Sequence, residues 1–213
     1  MGLNKNSSAA QWIGLSKGVF AVKNGGYVEE YKSFTGLLVG IGFVDKAANT
    51  AKQIPASRQM VLSFQCGSEL YKIGINSVSG YGRSIKMKLP MVDLTREFEL
   101  VPAYKEETKD ASCFINQGGI AIKQKWNKDN PGDMPQAIPP KTSSGRWNFE
   151  DQEIWLEKYL LNNVGPIAAA NLVKPASGQS SGPSSHDEAS GEESEDHPED
   201  GAGIPADAES VPF

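Results

Sequence analysis

Two adjacent segments in the first half of the chain alternate apolar and polar residues with a period of two. They are residues 59–66 (QMVLSFQC) and residues 69–75 (ELYKIGI), with Gly67-Ser68 between them. Such alternation is typical of β-strands that bury one face, and a glycine-containing pair between two of them is typical of a tight turn. The pattern therefore predicts an antiparallel β-hairpin.

A longer apolar segment precedes this hairpin. Residues 34–44 (FTGLLVGIGFV) are rich in β-forming residues but contain glycine at three positions. Glycine inside a strand usually marks a bulge, a bend or a close approach of another backbone. A long strand bent by glycines is what a small barrel needs at its corners.

Further elements are predicted along the rest of the body. We expect a strand at residues 96–101 and a hairpin over residues 112–124 that turns at Gly118-Gly119. Residues 81–91 fit either a strand or a short helix, and residues 45–54 fit either a short helix or a loop.

One helix is predicted near the end of the body. Asn148 can cap it, and Glu150 and Asp151 in the first turn favour the helix dipole. Apolar and aromatic residues then follow at helical spacing, and residues 162–166 (NNVGP) are expected to end the helix.

Charge divides the chain into two unlike parts. Residues 175–213 contain ten Asp and Glu and no Lys or Arg, so this segment carries a charge of −10 while the remainder carries about +5. A segment this polar cannot bury enough surface to offset its ordering entropy, and we expect it to be disordered. Such charge asymmetry indicates a nucleic-acid or membrane partner.

Several function classes lack their usual residues. Both histidines, His186 and His197, lie in the acidic segment, so no Ser-His or Cys-His catalytic pair is expected in the body. Cys66 and Cys113 do not form a CxxC pair, and neither a phosphate-binding loop nor an apolar span of ~20 residues is present. Residues 1–6 lack a secretory h-region. We therefore expect a cytoplasmic, non-enzymatic protein with no metal, no cofactor and no membrane contact.

Aromatic and basic residues are interleaved along the body. Proteins that hold single strands combine cations for the phosphates with aromatic faces for the bases. The alternative is that the aromatic residues fill the core and the lysines are ordinary surface residues. Trp126 fits base stacking best, because lysines flank it beside a loop rich in proline and glycine. The candidate nucleic-acid-binding residues are Trp12, Lys23, Tyr27, Tyr31, Tyr71, Lys72, Tyr81, Arg83, Lys123, Lys125, Trp126, Lys128, Arg146 and Trp147.

The chain ends in Glu209-Ser210-Val211-Pro212-Phe213. This ending resembles the tail of bacterial single-stranded DNA-binding proteins, which close with acidic residues followed by Ile-Pro-Phe. Phage single-stranded DNA-binding proteins are similar in plan, with an OB barrel and an acidic tail that ends in Phe. In the bacterial family the final Pro-Phe enters an apolar pocket on replication and repair enzymes. The resemblance implies that the partner-docking residues are Asp207, Glu209, Val211, Pro212 and Phe213.

Together these patterns predict a mainly β protein. We expect an elaborated OB-like barrel with one C-terminal helix over residues 1–166 and a disordered acidic tail over residues 167–213. An OB barrel binds nucleic acid on one sheet face and its adjoining loops.

The expected function is sequence-independent coating of single-stranded DNA during replication, recombination or repair. Partners would be single-stranded DNA and, through the tail, replication or repair proteins; homo-oligomerisation is left open. One alternative is a phage structural or assembly protein whose acidic tail mimics DNA. A nuclease that uses scattered carboxylates is a third hypothesis.

Overall fold

The structure is a computed structural model that describes residues 10–24, 26–48, 50–53, 55–127, 129–140 and 147–173. The acidic tail predicted from residue 175 onward lies outside these residues. Within them, no helix combines the length and the apolar character needed to cross a membrane.

The described residues form one nine-stranded sheet with the order β3-β2-β1-β6-β5-β4-β7-β8-β9. The protein is therefore mainly β, as the alternating segments predicted. The strands are β1 (Gln11–Ser16), β2 (Val19–Asn24), β3 (Tyr27–Tyr31), β4 (Phe34–Lys46), β5 (Ser57–Cys66), β6 (Glu69–Asn76), β7 (Phe98–Lys105), β8 (Asp110–Gln117) and β9 (Ile120–Ala121).

The long strand β4 joins the two halves of the sheet. Its first residues pair with β7, and the rest of the strand pairs with β5. The register shifts between Leu38 and Gly40, where a bulge bends the strand as the glycine pattern predicted. Strands β4, β5 and β6, a helix, and then β7 and β8 follow one another as in an elaborated OB-like barrel, here with an open sheet.

Both predicted hairpins are confirmed. Strands β5 and β6 turn at Gly67-Ser68, where Gly67 has a φ of +60°, and β8 and β9 turn at Gly118-Gly119. Within the segment 45–54, which fitted a helix or a loop, residues 50–52 form one 3₁₀ turn.

The ambiguous segment 81–91 is helical. Helix α1 (Gly80–Lys88) begins after Ser79, whose hydroxyl accepts a hydrogen bond from the Gly82 amide at 3.1 Å, and a 3₁₀ turn, Leu89–Met91, follows it. Glycine is required at position 80, because a Cβ there would lie 1.9 Å from the Ala111 carbonyl oxygen. This close approach places α1 directly against β8.

The predicted C-terminal helix begins as expected but continues further. Helix α2 (Glu150–Tyr159) starts beside Asn148, whose side-chain oxygen accepts from the Glu150 amide at 2.8 Å. A π-helical turn, Leu160–Val164, then leads into α3 (Gly165–Val173). The prediction that residues 162–166 end the helix is wrong, because the chain passes through the π-helical turn into α3 and Pro166 stands in the first turn of α3. The Gly165 amide still donates to the Leu160 carbonyl oxygen, so helical bonding continues up to the proline.

Residues beyond the predicted boundary at 166 are part of the packed body. The Asn171 amide donates to the carbonyl oxygens of Leu38 at 2.9 Å and Leu94 at 2.6 Å, and Ala168 is fully buried. These bonds satisfy backbone groups of β4 and of the segment before β7. The C-terminal helices therefore hold the two halves of the sheet together.

The sheet has an inner face and an outer face. Strands β5 and β6 direct five buried side chains to the inner face, and the π-helical turn and α3 pack against that side of the sheet. The five are Met60, Leu62, Phe64, Ile73 and Ile75.

Buried charges join α2 to the barrel. The Lys86 ammonium has no exposed surface and donates to the Ser77 hydroxyl at 2.9 Å and to the Glu153 carboxylate. Glu157 accepts from Ser77 at 2.7 Å and from Arg58 at 2.6 Å. Lys86 and Glu157 thus each have an oppositely charged partner, which is the condition under which burial of an ion is tolerated.

Candidate nucleic-acid interface

The outer face of β1, β4, β5 and β6 carries the candidate interface. The C-terminal helices lie on the other side, where a Cβ at Gly165 would be 3.6 Å from Ile41, an inner-face residue. Because side chains alternate along a strand, the polar positions of β5 and β6 point away from this core. The outer face is thus left without a helix packed on it in the described part of the chain.

Trp12 is the large aromatic residue of this face. It pairs in register with Lys72 of the neighbouring parallel strand, and the Lys72 ammonium lies 5.8 Å from the centre of the indole ring. Trp12 is 54% exposed. Lys23 on β2 is also exposed on this face, because the preceding residue, Val22, points into the core. One indole and two cations therefore share an open surface.

Small residues form the floor beside Trp12. A row of directly paired positions crosses five strands of the outer face. A Cβ at Gly74 would lie 3.5 Å from Cζ3 of Trp12 and 3.1 Å from Oε1 of Gln59, so the indole rests over bare backbone. The floor residues are Gly42, Val61, Gly74, Gly14 and Ala21.

Gln59 borders this floor on the side away from Trp12. Its side-chain oxygen is buried and has no hydrogen-bond partner among the described residues. Native proteins leave few buried polar atoms unpaired. An unused acceptor therefore lies at the edge of this floor.

The arrangement suits an unpaired nucleotide. A base can stack on an exposed indole, and nearby ammonium groups can contact the phosphates on either side. Gly14 and Gly42 leave open backbone on this floor, so a flat ring can approach the sheet closely at those two positions. Of the candidate residues from the sequence, Trp12, Lys23 and Lys72 come together here.

Three predicted tyrosines lie on the other side of the same strands. Tyr71 is paired with Phe64 and Tyr31 with Phe20, and both partners are buried in the core. Tyr27, at the start of β3, is 81% exposed but also occupies an inner-side position. These tyrosines do not share a surface with Trp12.

Two aromatic candidates are buried, which corrects the sequence-based prediction. Tyr81 is 8% exposed, and its hydroxyl accepts a hydrogen bond from the Gly18 amide at 2.7 Å. Trp126, the residue expected to stack best, is 5% exposed and stands edge-on to Trp155 at 5.1 Å and Tyr159 at 4.9 Å. Neither ring offers a face to a base in this structure.

The basic residues of the C-terminal half have structural contacts. Arg83 donates to Glu153 at 3.0 Å and to Gln152, and its guanidinium lies 4.1 Å from the Phe149 ring centre. Lys125 donates to the Tyr159 hydroxyl. These contacts hold both cations against the C-terminal helix.

The remaining predicted residues divide into two groups. Lys123 is exposed and Trp147 is 55% exposed, and neither belongs to the Trp12 surface. Lys128, Arg146 and all the partner-docking residues from Asp207 to Phe213 lie outside the described residues.

Sequence reasoning missed the floor of the interface. The outward glycines of β4 and β6 are visible in the sequence as gaps in the alternating pattern. Gly14 and Gly74 become neighbours because β1 pairs in parallel with β6, about sixty residues further along the chain. No local sequence pattern predicts the pairing of β1 with β6.

A serine–lysine pair elsewhere bears on the enzyme alternative. Lys88 donates to the Ser84 hydroxyl at 3.1 Å, and burial lowers the pKa of Lys88. Ser84 already donates to the Cys113 carbonyl oxygen at 2.7 Å and accepts from the Cys113 amide at 3.1 Å. Through these bonds the Ser84 hydroxyl connects α1 to β8, which is a structural role. Among the described residues, no group of three or more His, Cys, Asp or Glu is placed to hold a metal ion.

Comparisons of the chain with protein-family models, with curated proteins and with solved structures found no match. What this surface binds must therefore be inferred from the chemistry of its residues.

Proposed function

We propose that the protein binds single-stranded DNA, without strong sequence preference, on the outer face centred on Trp12. The observation that carries the proposal is the exposed indole of Trp12, with the Lys72 ammonium 5.8 Å from its ring, above a floor of glycines. An indole can stack on any base, because every base has a π-face.

The same features favour single strands over duplex. A base can lie flat on Trp12 only if it is unstacked from its neighbours, which a duplex does not allow without flipping. Lys23 and Lys72 are spaced across two strands of an open face and can contact a backbone that passes over the sheet. A duplex would meet the same two cations but would gain nothing from the ring.

The first experiment measures the affinity for a labelled oligo(dT) by fluorescence anisotropy. We expect Trp12→Ala to weaken binding by ~1–3 kcal/mol, about 5- to 150-fold, because one stacked base is lost. Trp147→Ala is the matched control, since Trp147 has nearly the same exposure but belongs to none of the strands that form this face. A folded Trp12→Ala variant with unchanged affinity would contradict the proposal.

A competition with duplex DNA of the same length separates this proposal from its alternatives. Single-stranded DNA is expected to compete far better than duplex. Equal competition, or no binding of either, would favour a phage structural or assembly protein whose acidic tail mimics DNA.

We further propose that the protein coats single strands in the cytoplasm during replication, recombination or repair and recruits partner proteins through its tail. The support is the ending Val211-Pro212-Phe213 after an acidic tract, which resembles the bacterial family. Phe213 is the only aromatic residue after residue 174, so it is the natural anchor for an apolar pocket.

Removal of residues 211–213 tests this second step. The deletion takes away no charged side chain, so the affinity for oligo(dT) should stay the same. In nuclease-treated host lysate, the full-length protein should retain replication or repair proteins and the deletion variant should lose them. Retention of the same proteins by both would refute the docking role of the tail.

A further inference from the structure

A second concave site lies on the inner side of the sheet, between β3 and the start of β4. It is a cavity of about 360 Å³. Its walls include Phe20, Tyr31, Phe34, Cys66 and Tyr71. The residues next to Tyr71 along β6 point to the opposite face, so this cavity and the Trp12 surface are separated by the thickness of the sheet.

Four aromatic residues form part of the wall. Phe34 stands edge-on to Phe20 at 6.0 Å and to Tyr71 at 5.7 Å, and Tyr31 borders the opening. The face of an aromatic ring carries the negative part of its quadrupole. Such a wall attracts a cation.

Carboxylates stand beside the two tyrosines. The Tyr31 hydroxyl donates to Glu29, and the Tyr71 hydroxyl donates to Glu69, in each case two residues earlier on the same strand. A carboxylate has about four acceptor positions, and one tyrosine hydroxyl uses one of them. Glu29, which lines the cavity, therefore keeps acceptor positions for a second donor.

Glu29 is the one charged residue among the described lining residues of the cavity. No Lys, Arg or His is among its described lining residues. Neighbouring carboxylates raise the pKa of Tyr31 and take that of Tyr71 to about 12, and burial together with Glu97 and Glu69 raises the pKa of the Cys66 thiol. The site therefore favours a positive ligand and repels a phosphate.

We infer that this cavity binds a guanidinium group, as carried by an arginine side chain of a partner protein. A guanidinium is planar, stacks on aromatic rings and donates to a carboxylate through a fork of N–H groups. The rings of Tyr31, Phe34 and Tyr71 supply the stacking surface, and Glu29 supplies the acceptor. The inference is independent of the DNA-binding proposal, because the two sites lie on opposite faces.

Ethylguanidinium is the probe, and N-ethylurea is its neutral counterpart of the same shape. The full chain is labelled with ¹³C in the rings of its six tyrosines, whose signals are assigned with single Tyr→Phe variants. We expect saturable shifts at Tyr31 and Tyr71 with ethylguanidinium, none at Tyr159, and no saturation with ethylurea. Ethylammonium is expected to bind more weakly, because it cannot stack.

Two variants of β3 test the acceptor. Glu29→Gln should weaken ethylguanidinium binding about tenfold, since it removes a charged partner of the ligand. Glu30→Gln removes the same charge from the next residue, which points to the outer face, and should leave the affinity unchanged. The unshifted Tyr81 signal reports that each variant is folded.

Three results would overturn the inference. Equal binding of ethylurea would show a neutral pocket, and tighter binding of ethylammonium would show a point-charge site rather than a guanidinium site. Equal effects of Glu29→Gln and Glu30→Gln would show a general attraction of cations to an acidic strand.

Discussion

Trp12 and Trp126 have similar neighbours and opposite environments. The ammonium of Lys72 lies 5.8 Å from the Trp12 ring, and that of Lys125 lies 5.2 Å from the Trp126 ring. Yet Trp12 is 54% exposed and Trp126 only 5%. A lysine beside a tryptophan therefore does not identify a nucleic-acid surface. What distinguishes the two is whether anything else contacts the ring.

The rest of each environment explains the difference. Trp126 belongs to a separate apolar cluster with Met87, Met134 and Leu156, and two further rings stand against it. Trp12 has bare backbone at Gly74 beneath its edge. One tryptophan is part of the packing that attaches the C-terminal helix, and the other is available to a ligand.

The largest expected difference between the two tryptophans is in their contribution to stability. Trp126→Ala should lower the free energy of unfolding by ~3–5 kcal/mol, the usual result of removing a buried aromatic side chain. Trp12→Ala should change it by roughly 0.5 kcal/mol or less, as exposed substitutions do. Urea unfolding followed by circular dichroism measures both. A stable Trp126→Ala variant with weakened DNA binding would reverse the assignment of the two residues.

The next effect concerns the charges that attach α2. Glu153→Leu leaves the buried Lys86 ammonium with only the Ser77 hydroxyl, and we expect a loss of ~3 kcal/mol in the free energy of unfolding. The double variant Lys86→Met/Glu153→Leu removes both charges and should recover the part of that loss due to the unpaired Lys86, but not the part due to the ion pair of Glu153 with Arg83. A double-mutant cycle from urea unfolding measures the coupling. Additive effects of the two substitutions would mean that the pair is not coupled.

The smallest expected effect is on the salt dependence of DNA binding, and it distinguishes Lys72 from Lys125. Lys72→Gln should reduce the steepness of the plot of log affinity for oligo(dT) against log salt by about 0.7, the contribution of one phosphate contact. Lys125→Gln should leave the slope unchanged, because Lys125 is engaged with Tyr159. Titrations at a series of NaCl concentrations give both slopes. Equal reductions would place Lys125 on the DNA path as well.

Local patterns predicted the central elements well. The hairpin of β5 and β6, the bend in β4 and the start of α2 at Asn148 each depend on residues close together in sequence. Alternation, glycine position and side-chain capping act over a few residues, so they can be recognised without the fold. A local pattern failed at Pro166. This proline was expected to end a helix, but it stands in the first turn of the next helix, α3.

The sequence-based prediction did not include strands β1 to β3. Without these strands, the surface around Trp12 could not be recognised. Strands β1, β2 and β3 form two antiparallel hairpins, and the first turns at Lys17-Gly18, so this segment carries local signals that sequence reasoning missed. The pairing of β1 with β6 is parallel and long-range, and no hairpin signal precedes it. Trp12 was selected as a candidate residue, but its neighbours Lys72 and Gly74 became a surface only through this register.

By itself, the sequence determined which residue types were available: an acidic tail with a terminal Phe213, a basic body rich in aromatic residues, and strands with one apolar face. Only the tertiary structure decided which aromatic residues face solvent, since each strand alternates its side chains but the pairing of distant strands sets which face is covered. Tyr81 and Trp126 were buried by elements remote in sequence, and Trp12 was left exposed because the helices pack on the opposite side of the sheet. The site is therefore a product of strand register and helix placement, which short-range patterns do not encode.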